Sequence, residues 1–209
     1  MKRIGILFII FFSTLCLSAQ EHNANLTKKQ FEMQRLQRQG KTLEALDTAC
    51  VILSYNPDSG SAQDFVYHHW DKTMRQANDR LSTLTDDESI EQTRERCELY
   101  RLIEDIHFNL RSVRLPLHGP NDSWVWQPEV GYYSGHYDDE CHKGFMLVKQ
   151  KADEALRAGD TELAKSYYEQ ALSMFLPTDN EKKSNRRYLT QEINGRISSV
   201  ADSELLTRL

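Results

Sequence analysis

The densest set of side chains able to do chemistry is His136, Asp138, Asp139, Glu140, Cys141 and His142. Imidazole, carboxylate and thiolate are the usual ligands of zinc and related ions. The spacing argues against such a site. Asp138 and His142, four apart, share a helix face, but the adjacent Cys141 and His142 point in different directions, and neither C-x-x-C nor H-E-x-x-H occurs. The expectation is no metal and no cofactor, with the acids serving a helix N-terminus. Cys141, near that helix start, is expected to be the most reactive thiol. Gly131-Tyr132-Tyr133-Ser134-Gly135-His136 has the wrong spacing for a G-x-S-x-G nucleophile turn. No glycine loop of the phosphate-cradling type is present, and abundant helical carboxylates are not a catalytic dyad. The chain is therefore not expected to be an enzyme.

A second chemistry is contact chemistry. Residues 114–137 interrupt the helical pattern with Pro116, Gly119, Pro120, Pro128, Gly131 and Gly135, and carry Trp124, Trp126, Tyr132, Tyr133 and Tyr137. A loop of this length is uncommon without a purpose. Trp and Tyr offer large rigid surfaces with a polar handle, so these five are candidate partner-binding residues. The competing reading is local packing, the insert folding back to plug a gap beside the helices. The Trp124-Val125-Trp126 alternation fits a short strand, for which the sequence offers no obvious pairing partner.

These segments are positioned by helices. Apolar residues recur at helical spacing over 26–39, 42–55, 61–84, 87–113, 138–157, 161–175 and 181–200, about seven helices in all. Gly40 closes the first, and Asn56-Pro57-Asp58 with Gly60 closes the second. Trp70, Met74, Ala77, Leu81 and Leu84 stripe the third. The fourth carries Ile90, Cys97, Tyr100, Ile103, Ile106, Leu110 and Val113 on one side, with capping chemistry from Thr85, Asp86 and Asp87. The class is all-α, built of antiparallel helical hairpins, the third and fourth helices forming a long one over 61–113.

Residues 1–19 read as a secretory signal peptide: Lys2 and Arg3, an apolar run from Ile4 to Leu17, then Leu17-Ser18-Ala19. Leu15 precedes Cys16 where a lipobox wants a small residue, so plain cleavage is expected rather than lipidation. Removing Lys2 and Arg3 from the 26 basic residues leaves 24 against 31 acidic ones, a net charge of −7, which argues against nucleic acid as a partner. No later run reaches the roughly 20 apolar residues of a spanning helix. The expected location is a bacterial periplasm or cell surface; in a eukaryote, Asn25-Leu26-Thr27 and Asn121-Asp122-Ser123 would be glycosylation acceptors. The remaining cysteines, Cys50, Cys97 and Cys141, are odd in number. One disulfide is possible, with its pairing open.

In 138–177, Ala152 stands at the close-contact position of a first helix, Gly159-Asp160 makes a turn, and Ala164, Tyr168 and Ala171 follow on a second. This pattern resembles the tetratricopeptide repeat, a helix pair of roughly 34 residues. Val148, Ala155 and Pro177 depart from the pattern. A weaker match covers 26–57, through Gly40, Ala45, Ala49, Ile52 and Pro57, with Lys29 and Met33 departing. Gly40 and Gly159 are not a whole number of such units apart, so the middle hairpin or the insert breaks the array.

The resemblance implies a single domain over 20–209, a short solenoid capped by 181–200. It also implies a concave groove for a protein or peptide partner, lined by Gln30, Gln34 and Gln37 and by Lys149 and Asp153. The resulting expectation is a non-catalytic protein–protein interaction or scaffold module of the cell envelope. Any membrane association would run through a partner. The alternatives are a glycan or small-molecule binder, or a metal-dependent hydrolase, using 124–142.

Overall fold

The computed structural model describes residues 24–174 and 191–199. Among the described residues the protein is all-α. Helix α1 covers 24–38, α2 Thr42–Tyr55, α3 Gly60–Thr83, α4 Ile90–Arg111, α5 Ser134–Arg157, α6 Thr161–Ser173 and α7 191–199. A short ribbon, β1 (Leu117–His118) and β2 (Val125–Trp126), lies in the insert around a 3₁₀ turn at Pro120–Asp122. No helix among the described residues is long and apolar enough to cross a membrane. The residues group into two compact units. Of the described residues, one unit comprises those up to Thr73 together with Ser112–Pro128; the other comprises Met74–Arg111 and those from Glu129 on.

In the first unit, α1 ends at Gly40, whose φ of +75° is a backbone conformation that glycine adopts without strain. The Gly40 N–H donates to Gln37 O and the Lys41 N–H to Leu36 O, satisfying the last carbonyls of the helix. α2 then buries Ala45, Leu46, Thr48, Ala49, Cys50, Val51, Ile52 and Leu53. Burial that wraps most of the way round marks a helix covered on several sides. α1 contributes Met33 to this core, while Phe31, on its other side, is 68% exposed.

The Trp124–Trp126 strand does have a partner. Leu117 lies opposite Trp126 and His118 opposite Val125, antiparallel, and the Gly119 N–H donates to Trp124 O (2.8 Å). The turn between them relies on Asn121 and Asp122 at φ of 52° and 55°, a conformation these short polar residues tolerate.

In the second unit, α5 packs on both α4 and α6. Phe145, Val148, Ala152 and Ala155 of α5 meet Ala164, Tyr168 and Ala171 of α6, with Met174 and Ile193 completing the cluster. Ala152, Ala164 and Ala171 are fully buried, small enough for the two backbones to approach closely. The turn repeats the geometry at Gly40: Gly159 has a φ of +82°, its N–H donates to Leu156 O, and the Asp160 N–H donates to Ala155 O. Asp160 then caps α6 by accepting from the Leu163 N–H (3.0 Å).

Two helix starts differ from expectation. α4 begins at Ile90, because Asp86 Oδ1 accepts from the Glu88 and Ser89 N–H groups, and Ser89 Oγ accepts from the Gln92 N–H. α5 begins at Ser134, four residues before 138, which places Tyr137 inside the helix and in the core rather than in the loop. Of the last expected helix, 191–199 is described, with Ile193 buried and Ile197 packed against the same cluster. The rest of 181–200 lies outside the described residues, as do 1–19 and Pro177.

Candidate functional site

The insert divides its aromatics between two kinds of surroundings. In the first unit, the Trp124 indole stacks on Tyr67 of α3, with centroids 4.2 Å apart and planes 5° from parallel. Trp126 meets Tyr67 and Trp70 edge-on, at 6.3 and 5.5 Å. Both indoles are half-buried. Gly119 lies directly beneath Trp124, and a Cβ there would sit 2.4 Å from the indole Nε1. Val125, between them, is 59% exposed.

In the second unit, residues 131–133 are fastened to α4 by buried polar groups that sequence reasoning missed. The Arg111 guanidinium donates to Glu104 Oε1 (2.8 Å) and to Gly131 O (2.7 Å). Glu104 Oε2 accepts from the Tyr133 N–H (2.8 Å), and the Gly131 N–H donates to His107 Nδ1 (3.1 Å). Tyr133 leans on the His107 ring at 4.7 Å, and Arg111 sits over the exposed Tyr132 ring at 4.4 Å. Burial outweighs the pull of Glu104 and, with help from Arg111, lowers the His107 pKa to about 4. These groups hold the chain entering α5. Tyr137, the fifth candidate, is buried against Cys97 and Cys141.

The groove candidates also separate. On α1, Gln34 and Gln37 are exposed and Gln30 is half-buried; Gln37 Nε2 lies 3.3 Å from His69 Nε2. On α5, Lys149 and Asp153 are held in a network. Asp153 Oδ1 accepts from the Tyr168 hydroxyl (2.5 Å) and from Arg196 Nη1 (2.9 Å). Lys149 lies 3.6 Å from both Asp153 and Glu192. Burial raises the Asp153 carboxyl pKa, but Tyr168, Arg196 and Lys149 outweigh it and hold it below the usual range.

The residues of the His136–His142 run are spread around α5. His136 stacks on Tyr100 at 5.6 Å, Glu140 accepts from Arg96 and Lys143 (2.8 Å each), Cys141 is fully buried and His142 is exposed. Successive helix positions turn by about 100°, so a continuous run cannot converge on one point. Among the described residues, no three His, Cys, Asp or Glu side chains are grouped to hold a metal ion. Cys141 is also not a thiol at a helix mouth. It lies two turns into α5 with no solvent access, so the expected reactivity fails on exposure.

A cleft of about 660 Å³ in the second unit is lined by Glu91, Arg94, Glu95, Glu98, Arg101 and Tyr137, among others. Two of its carboxylates are already paired, Glu95 with Arg80 and Glu98 with Arg101 (2.6 Å each).

Comparison with known proteins returns no match: no protein-family model, no curated protein and no solved structure corresponds to the chain.

Proposed function

We propose that the protein is a non-catalytic interaction module, similar in its hairpins to tetratricopeptide repeat proteins and exported to the cell envelope, which captures a segment of another protein. The observation that carries this reading is the outer side of α1. There Phe31 is 68% exposed and Gln34, one turn on, is also exposed, while Met33 fills the core. An aromatic ring beside an amide supplies an apolar anchor and a donor–acceptor pair, the combination an extended peptide backbone uses. Lys149 and Asp153, engaged with α6 and α7, are less available, so the reading centres on the first hairpin. Trp124 and Trp126 support it indirectly, by stiffening the ribbon and leaving Val125 outward.

The test is capture from envelope extracts by the immobilised mature chain, compared with Phe31→Ala/Gln34→Ala. The expected result is a partner retained by the wild type and lost by the variant, with unchanged helical circular dichroism. Equal capture by both proteins would overturn the assignment to α1.

A further inference from the structure

Cys97 of α4 and Cys141 of α5 face one another. Both are free thiols in the structure, and their side chains pack together in a small buried core closed by Tyr137. The register is fixed independently of the sulfurs. The residue before each cysteine belongs to an ion pair across the same two helices, Arg96 Nε to Glu140 Oε2 at 2.8 Å. One turn further along, Gly144 of α5 lies so close to α4 that a Cβ there would sit 2.9 Å from the Thr93 methyl. In the other direction, Tyr100 stacks on His136. Three contacts on both sides of the cysteines thus hold the helices close and in one register. That is the condition a disulfide needs, since the bond tolerates little backbone movement.

We propose that Cys97 and Cys141 form a disulfide that clamps α4 to α5, with Cys50 left as the free thiol of residues 20–209. The oxidant is a small-molecule or protein disulfide. One cysteine thiolate attacks a sulfur of that disulfide, expelling a thiolate and leaving a mixed disulfide. The second cysteine attacks the protein-side sulfur, closing the Cys97–Cys141 bond and expelling the second thiolate. The two cysteine protons pass to the departing thiolates, and the oxidant is reduced by two electrons.

The bond forms as the helices come together. Once folded, the hydrogen bond to Cys141, burial and the nearby Glu140 carboxyl hold the Cys97 thiol well above its ordinary range, which disfavours its thiolate. Cys50 is shut away in α2 with its own pKa raised by burial and by Asp47. The chemistry of the pair stands apart from the proposed export, which decides only whether the oxidant is met in the cell.

The experiment refolds the chain over residues 20–209, which lacks Cys16, from denaturant with mixed reduced and oxidised glutathione, then blocks, digests and maps it by mass spectrometry. The expected product joins the Cys97 and Cys141 peptides, with Cys50 alkylated only after denaturation. Strong reductant added to the denatured oxidised chain before refolding should lower Tm by roughly 10 °C in wild type, and not in Cys97→Ala/Cys141→Ala. Three alkylatable thiols after oxidative refolding, or Cys50 in the cross-link, would overturn the proposal. A bond formed in the refolded chain but missing from protein recovered from its cells would support the pairing and count against export.

Discussion

Glu104 and Arg111, two turns apart on α4, form an ion pair at 2.8 Å whose carboxylate is closed off from water and whose second oxygen receives the Tyr133 amide. The pair acts on the backbone of the insert, since Arg111 also holds Gly131 O. Removing one partner of a buried pair leaves the other charge and its hydrogen-bonding groups uncompensated. Glu104→Ala is expected to cost about 3–5 kcal/mol in urea unfolding. Glu104→Gln keeps an acceptor for the Tyr133 N–H and should cost less. Near-equal stability of wild type and Glu104→Ala would show that the pair does not fasten the insert.

His107 gives the fold a pH dependence of known sign. Its folded pKa of about 4 lies below the ordinary 6.5, so between those values the unfolded chain binds a proton that the folded chain does not. Stability therefore falls as pH drops from about 6.5 toward 4, by at most about 1.4 kcal/mol per pH unit, and levels off below. His69, lowered chiefly by burial, acts with the same sign. Carboxylates held low by partners, Asp153 and Glu140 among them, are lost only below pH 4.5. His107→Gln should flatten the unfolding midpoint between pH 6.5 and 4.5, and an unchanged slope would remove His107 as its source.

Gly119→Ala tests the ribbon. The added methyl would meet Trp124 Nε1 at 2.4 Å and Ser123 Oγ at 2.6 Å. Trp124 must then leave its stack on Tyr67, at an expected cost of about 1–3 kcal/mol. Tryptophan fluorescence should shift toward longer wavelength as the indole meets water. A wild-type spectrum would mean that the ring finds another route past the methyl.

The helices were legible where local chemistry sets them. α2 runs over 42–55 as its apolar pattern and flanking turn residues require, and Gly40 and Gly159 adopt a positive φ that glycine takes without strain. The stripe Trp70, Met74, Ala77, Leu84 is buried, with Leu81 partly so. What was not legible depends on residues far apart in the chain. Leu117 reveals nothing of its pairing with Trp126 until the turn at Asn121 and Asp122 is known. Glu104, Asp105 and His107 sit in an unbroken buried run from Leu102, although charged helix residues ordinarily face solvent; their partners lie more than twenty residues away or on the same helix. Arg96 is another such case, reaching Leu84 O, Asp87 and Glu140 from a buried position. Ser134-Gly135-His136 carries no side-chain cap, so the early start of α5 left no mark in the sequence.

Ile193 brings α7 onto the seam between α5 and α6, and Arg196 meets the Asp153–Tyr168 pair beside it. A chain cut before residue 191 would therefore lose more than a terminal ornament. It would present a greasy slot over Val148, Ala152 and Tyr168, with an acid at its lip missing its arginine. Such an end invites another molecule's helix, so chains shortened before residue 191 should self-associate more than the intact one in size-exclusion chromatography.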